Sequence, residues 1–101
     1  TSGERMREAE LLRWAGELTL QRGGRHARRE ARTWFERALE VAGQQHARWF
    51  ELRAAASLLR LDLAGASAPK SRDRLAAVLA AFGDYADWPD LRDARALLPA
   101  G

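Results

Sequence analysis

The sequence has no cysteine, no isoleucine and no asparagine, and it has a single lysine, Lys70. Without cysteine there is no disulfide framework and no thiolate chemistry or thiolate metal site. β-Branched residues are scarce, which argues against a sheet. Proline occurs three times, as Pro69, Pro89 and Pro99. No apolar run approaches the roughly 20 residues of a membrane span, and no secretory signal pattern is present. The 101 residues open with Thr1 rather than Met, which implies a piece or a processed form of a longer chain.

Ala, Leu, Glu and Arg dominate, and all four are strong helix formers. Apolar residues make up 47% of the chain, enough to build one modest core. The formal net charge is +3, carried almost entirely by Arg, and is too small to imply nucleic acid by itself. The fold class read from this composition is all-α, with about five helices in one domain over 1–101.

Helical periodicity places the elements. The first helix runs from about Glu4 to Arg22, with Ser2 as N-cap. Leu11, Ala15 and Leu18 form one stripe, Leu12, Gly16 and Thr19 a second, and Gly23-Gly24 is the stop. The second runs from about Ala27 to Ala42 with Gly43 as its stop. Its inward face is expected to hold Ala27, Ala31, Trp34, Ala38 and Val41, flanked by Phe35, Leu39 and Ala42. The third, from about Ala47 to Leu63, is apolar on both sides and is expected to be the most buried. Gly65 to Pro69 is a loop. The fourth starts near Pro69 and runs to about Phe82 or Gly83, and the fifth begins at Asp87 or Trp88 with Pro89 in its first turn. Leu91, Ala94 and Leu98 of this last helix face inward, and Pro99 and Gly101 end it.

The chain overlays on itself at a shift of 40 residues. "LRWAGELTL" at 12–20 falls on "LRAAASLLR" at 52–60, so Leu12, Arg13, Gly16 and Leu18 meet Leu52, Arg53, Ala56 and Leu58. Further on, Ala31, Phe35 and Leu39 meet Ser71, Leu75 and Leu79. A period of this size in helix pairs marks an α-solenoid. This divides the domain into a first helix pair at 4–43, a second at 47–83 and a terminal capping helix at 88–98. Small residues at Gly16, Ala31, Ala56 and Ser71 are the expected points of close helix approach, with Phe35 and Leu75 filling the gaps beside them.

The small residue at Gly16, followed by Ala31, Phe35 and Ala38, resembles the tetratricopeptide repeat. The second unit carries Ser71 and Leu75 where that family has Ala and an aromatic. Over residues 30–98 a closer likeness appears. "ERALEVA", "ELRAAASLLRL" and "PDLRDARALL" resemble the C-terminal repeats of bacterial predicted ATPases, which are often fused to adenylate/guanylate cyclase or DNA-binding domains. The pattern departs from that family at 63–72 and at Trp88. The resemblance implies an antiparallel α-solenoid serving as a protein–protein interaction or scaffold module of a larger cytoplasmic signalling protein. It also implies that one stripe of each pair's first helix lines a concave face, where a peptide or domain would meet Arg13, Glu17, Leu20, Arg53, Ser57 and Arg60. The other reading of Arg53 and Arg60 is a solvated face paired to Glu51, Asp62 or a neighbouring carboxylate.

No catalytic constellation is present, so no enzymatic activity, cofactor or metal is expected. Gly23-Gly24 lacks the Lys-Ser/Thr of a phosphate-binding loop, and His26 and His46 stand far apart. Asp84, Asp87, Asp90 and Asp93 recur every third residue but lack the glycine and bidentate Glu of a calcium loop, and read as acids at a helix N-terminus. Arg22, Arg25, Arg28, Arg29 and Arg32, with His26, form a basic cluster. It reads as solvated helix ends or, in the alternative function class, as the contact surface of a nucleic-acid-binding helical domain, though it has no interleaved aromatics. The four Trp are expected in packing rather than in ligand stacking, with Trp49-Phe50 the candidate for a partly exposed pair. The first helix, with Leu11, Leu12, Trp14, Leu18 and Leu20, carries more apolar surface than one neighbour can cover, which implies self-association through that end.

Overall fold

A computed structural model describes residues 2–63, 67–82 and 88–98, with side chains from Arg7 onward. Among the described residues there are five helices and no strand: α1 (Ser2–Arg22), α2 (Ala27–Gln44), α3 (Arg48–Asp62), α4 (Ala68–Ala80) and α5 (Pro89–Ala96). Gly65 and Ala66 of the expected loop, Gly83, Asp84 and Asp87, and the expected stop at Pro99 and Gly101 lie outside the described residues. None of the described helices is long and apolar enough to cross a membrane.

α1 ends where expected. Gly23 and Gly24 take φ values of 72° and 109°, a region costly for any residue with a Cβ. At its other end Ser2 is already helical and does not cap from outside. α2 corrects the expected stop at Gly43. The helix passes through Gly43 and reverses at His46, the one non-glycine residue at positive φ (55°) among those described. The His46 N–H donates to the Gly43 carbonyl at 3.2 Å and the Ala47 N–H to the Ala42 carbonyl at 2.9 Å. These are the paired bonds of a Schellman motif, completed by the apolar contact of buried Ala42 and Ala47.

α3 is the most buried helix: nine of its 15 residues are buried. On one side Leu58 and Leu61 pack with Ala31 and Phe35 of α2. On the other Leu52, Ala55, Ala56 and Leu59 pack with Leu75 and Leu79 of α4 and Leu91 and Ala94 of α5. The three consecutive alanines let neighbours approach α3 from several directions, and each buried leucine contributes about 2 kcal/mol of transfer free energy.

The inward face of α2 is rotated from the expected one. Phe35 is fully buried with Ala27, Ala31, Ala38 and Ala42, while Trp34 and Val41 are only half-buried. The reason is Gly16. A Cβ built there would lie 2.5 Å from Phe35 Cε1, so the missing methyl is the space the Phe35 ring occupies. α1 buries its small residues, with Gly16 at a close approach as expected, and leaves outward the surplus apolar surface the sequence implied. Its buried residues are Ala9, Glu10, Gly16 and Thr19, whereas Leu11, Trp14 and Leu18 are 59%, 50% and 55% exposed. The small second stripe packs because only small side chains permit close approach to α2. The bulky first stripe is left outward.

Polar side chains join the helix ends. At the end of α3 the Asp62 carboxylate is wholly buried and held by three donors. Arg32 Nη1 (3.0 Å) and Ser71 Oγ (2.5 Å) donate to Oδ2, and Arg32 Nη2 donates to Oδ1. A carboxylate at a helix C-terminus opposes the helix dipole, and the Arg32 guanidinium offsets that cost. Arg28 Nη2 donates to the Leu61 carbonyl at 2.6 Å, and Arg48 Nη1 to the Ala81 carbonyl just past α4 at 3.3 Å, satisfying carbonyls that helix ends leave without partners.

Candidate functional site

Arg13 and Arg53 stand 40 residues apart, at equivalent places in α1 and α3, and both reach one carboxylate. Arg13 Nη2 donates to Glu10 Oε1 at 2.7 Å and its Nε to Oε2 at 3.1 Å, while Arg53 Nη1 lies 2.8 Å from Oε1. Glu10 is nearly buried, so two guanidiniums on one carboxylate compensate its desolvation. Arg13 Nη1 also donates to Ser57 Oγ at 3.4 Å. The Arg13 side chain is only 11% exposed, but that of Arg53 is 36% exposed and keeps donors free for solvent or a ligand.

Above this triad lies a groove of about 240 Å³. Arg13, Arg53 and Arg60 line it from α1 and α3, over Leu52 and Ala56. Asp90 and Asp93 of α5 complete the lining. Arg60 is exposed and has no ion pair among the described residues. Of the six residues predicted for a concave site, the structure therefore brings Arg13, Arg53 and Arg60 to one groove. Ser57 is buried beneath it. Glu17 lies 3.9 Å from Arg13 Nη1 but opens toward a separate depression with Trp14 and Leu18. Leu20 packs inward against the Ala31–Phe35–Leu58 cluster.

Neither Glu51 nor Asp62 pairs with Arg53 or Arg60. The partner of Arg53 is Glu10, and Asp62 is taken by Arg32. Sequence reasoning passed over Glu10, Asp90 and Asp93 as groove residues. The Glu10–Arg13 spacing of three, on the turn equivalent to Arg53, was the available signal for Glu10. Asp90 and Asp93 depend on how α5 folds back over α3, which no local pattern encodes.

The basic cluster divides. Arg28 and Arg32 each bond to the end of α3, though Arg28 stays exposed with Arg22, Arg25, His26 and Arg29. The tryptophans divide too. Trp49 is half-buried and meets Phe82 and Trp88 edge-on, with centroids at 6.0 and 5.2 Å. The Arg37 guanidinium lies 5.8 Å over the Trp34 ring. Trp88 is half exposed yet packs on Trp49 as expected, whereas Trp14 is half exposed on the outer side of α1.

Comparison of the chain with protein-family models, with curated proteins and with solved structures finds no match to any of them.

Proposed function

We propose that this chain is a tetratricopeptide-like pair of helical repeats with a capping helix, acting as a protein–protein interaction module of a larger bacterial signalling or regulatory protein in the cytoplasm. It docks a peptide or domain in the groove formed by Arg13, Arg53 and Arg60. The observation that carries this reading is the meeting of Arg13 and Arg53 on Glu10, because residues one repeat apart on successive first helices lie side by side in a solenoid.

Other contacts support it. The start of α2 meets the end of α3 through Arg32 and Asp62, the end of α2 meets the start of α3 where Gly43 faces Glu51, and Arg48 at the start of α3 reaches the end of α4. Such contacts are those of antiparallel helix pairs. Three repeat-related pairs match in burial, Phe35 with Leu75, Ala31 with Ser71, and Gly16 with Ala56, whereas Leu18 is exposed where Leu58 is buried.

Arg53 and Arg60 suit carboxylates of the docked segment. Nucleic-acid binding is the weaker reading, because the charge of Arg32 is paired with Asp62 and the cluster has no interleaved aromatics. The test is panning of a phage-displayed random dodecapeptide library against the wild type and against Arg53→Ala/Arg60→Ala. Peptides enriched on the wild type and lost on the double variant, with its helical circular dichroism intact, support the reading. Failure to enrich any sequence, or enrichment indifferent to the double variant, overturns it.

A further inference from the structure

The groove carries charges of both signs, and three of them have no counter-charge among the described residues. Arg60 on α3 and Asp90 and Asp93 on α5 line the same small groove, yet none makes an ion pair among the described residues. If Arg60 stood within ordinary salt-bridge reach of either aspartate, the groove would neutralise itself. Instead a gap separates them. The neighbouring triad is already satisfied, with Glu10 held by Arg13 and Arg53. Counted with Glu10, the groove holds as many carboxylates as guanidiniums, so it exerts little net field on a charged partner.

A uniformly acidic segment would gain at Arg60 and be repelled by Asp90 and Asp93. A uniformly basic one would meet the reverse. We propose that the groove selects a partner segment carrying an acidic and a basic side chain on neighbouring turns. The carboxylate meets Arg60 and the spare donors of Arg53, and the cation meets Asp90 and Asp93. This rests on the docking reading above and adds the charge pattern of the partner. Recognition of this kind fixes register and rejects wrong partners more than it adds affinity, because rim charges are partly solvated. The small size of the groove requires that both groups come from residues close together on one segment.

The probes are four fluorescein-labelled, alanine-rich helical peptides of equal length. They differ only in a central pair four residues apart: Glu then Arg, Arg then Glu, Glu twice, or Ala twice. Binding is read by anisotropy at low salt. One of the two mixed peptides is expected to bind the wild type about threefold tighter than the doubly acidic peptide, the scale of a partly exposed ion pair. Arg60→Glu and Asp93→Arg alter exposed side chains and leave the fold intact by circular dichroism. Each alone removes the preference. Combined, they reverse it, so that the opposite mixed order binds best. Tightest binding of the doubly acidic peptide, abolished by Arg60→Glu, would overturn this inference and leave the docking reading standing. Equal binding of all four peptides, or of none, would overturn both.

Discussion

At Gly16 a single missing methyl group sets the geometry of the α1–α2 contact. Alanine is intrinsically better than glycine inside a helix by about 1 kcal/mol, so on propensity alone Gly16→Ala would stabilise. The Cβ would fall 2.5 Å from the Phe35 ring, which is itself fully buried and has nowhere to go. Overpacking of that kind costs about 1–3 kcal/mol, so the variant is expected to melt below the wild type. In a Phe35→Leu background the same substitution is expected to become neutral or stabilising. A double-mutant cycle by thermal denaturation reads the coupling directly, and a coupling near zero would remove the close approach. Asp62 is the second decisive residue. Arg32→Met leaves its buried carboxylate with only the Ser71 hydroxyl, an uncompensated charge that costs about 3 kcal/mol. Denaturant titration measures it. Arg29→Met, three residues earlier on the exposed side, is expected to change stability by less than about 0.5 kcal/mol.

At the scale of the element, helix identity and extent were legible because composition, glycine pairs and prolines agree with one another. The C-terminal end of α1 and the start of α5 follow from Gly23-Gly24 and from Trp88-Pro89, whose local chemistry permits few alternatives. The end of α2 was not legible. Glycine is the usual left-handed residue at a helix terminus, but here His46 takes that place and Gly43 lies within the helix, facing Glu51. His46→Gly removes the Cβ from a left-handed position and is expected to stabilise by about 1 kcal/mol, seen as a raised melting temperature. The orientation of α1 turns on side-chain size. Two stripes of similar apolarity compete on it, and the smaller one wins because it alone permits contact with Phe35. Leu11→Gln with Leu18→Gln is therefore expected to cost less than about 1 kcal/mol, whereas a change of the same size at buried Leu58 or Leu59 would cost several times more. Equal losses at the two sets, measured by urea unfolding, would mean that α1 packs through its bulky stripe.

At the scale of the whole molecule, the 40-residue repeat was the most informative feature of the sequence. It relates Arg13 to Arg53, and the two side chains meet on Glu10. What the repeat does not encode is α5. It has no counterpart earlier in the chain, so its docking through buried Leu91 and Ala94, and with it the arrival of Asp90 and Asp93 at the groove, depends on long-range packing alone. The basic cluster teaches the complementary lesson. Five arginines lie close in sequence, yet where the start of α2 meets the end of α3 Arg32 pairs with Asp62 and Arg28 bonds the Leu61 carbonyl. The central claim is that the groove between α1, α3 and α5 is where a protein segment docks. Amide chemical-shift mapping of the isotope-labelled protein, titrated with the dodecapeptide most enriched by panning, tests it most directly. The account predicts shifts concentrated at residues 52–60 and 90–93. Shifts confined to residues 22–29, or to the outer face of α1 at residues 11–18, would contradict it.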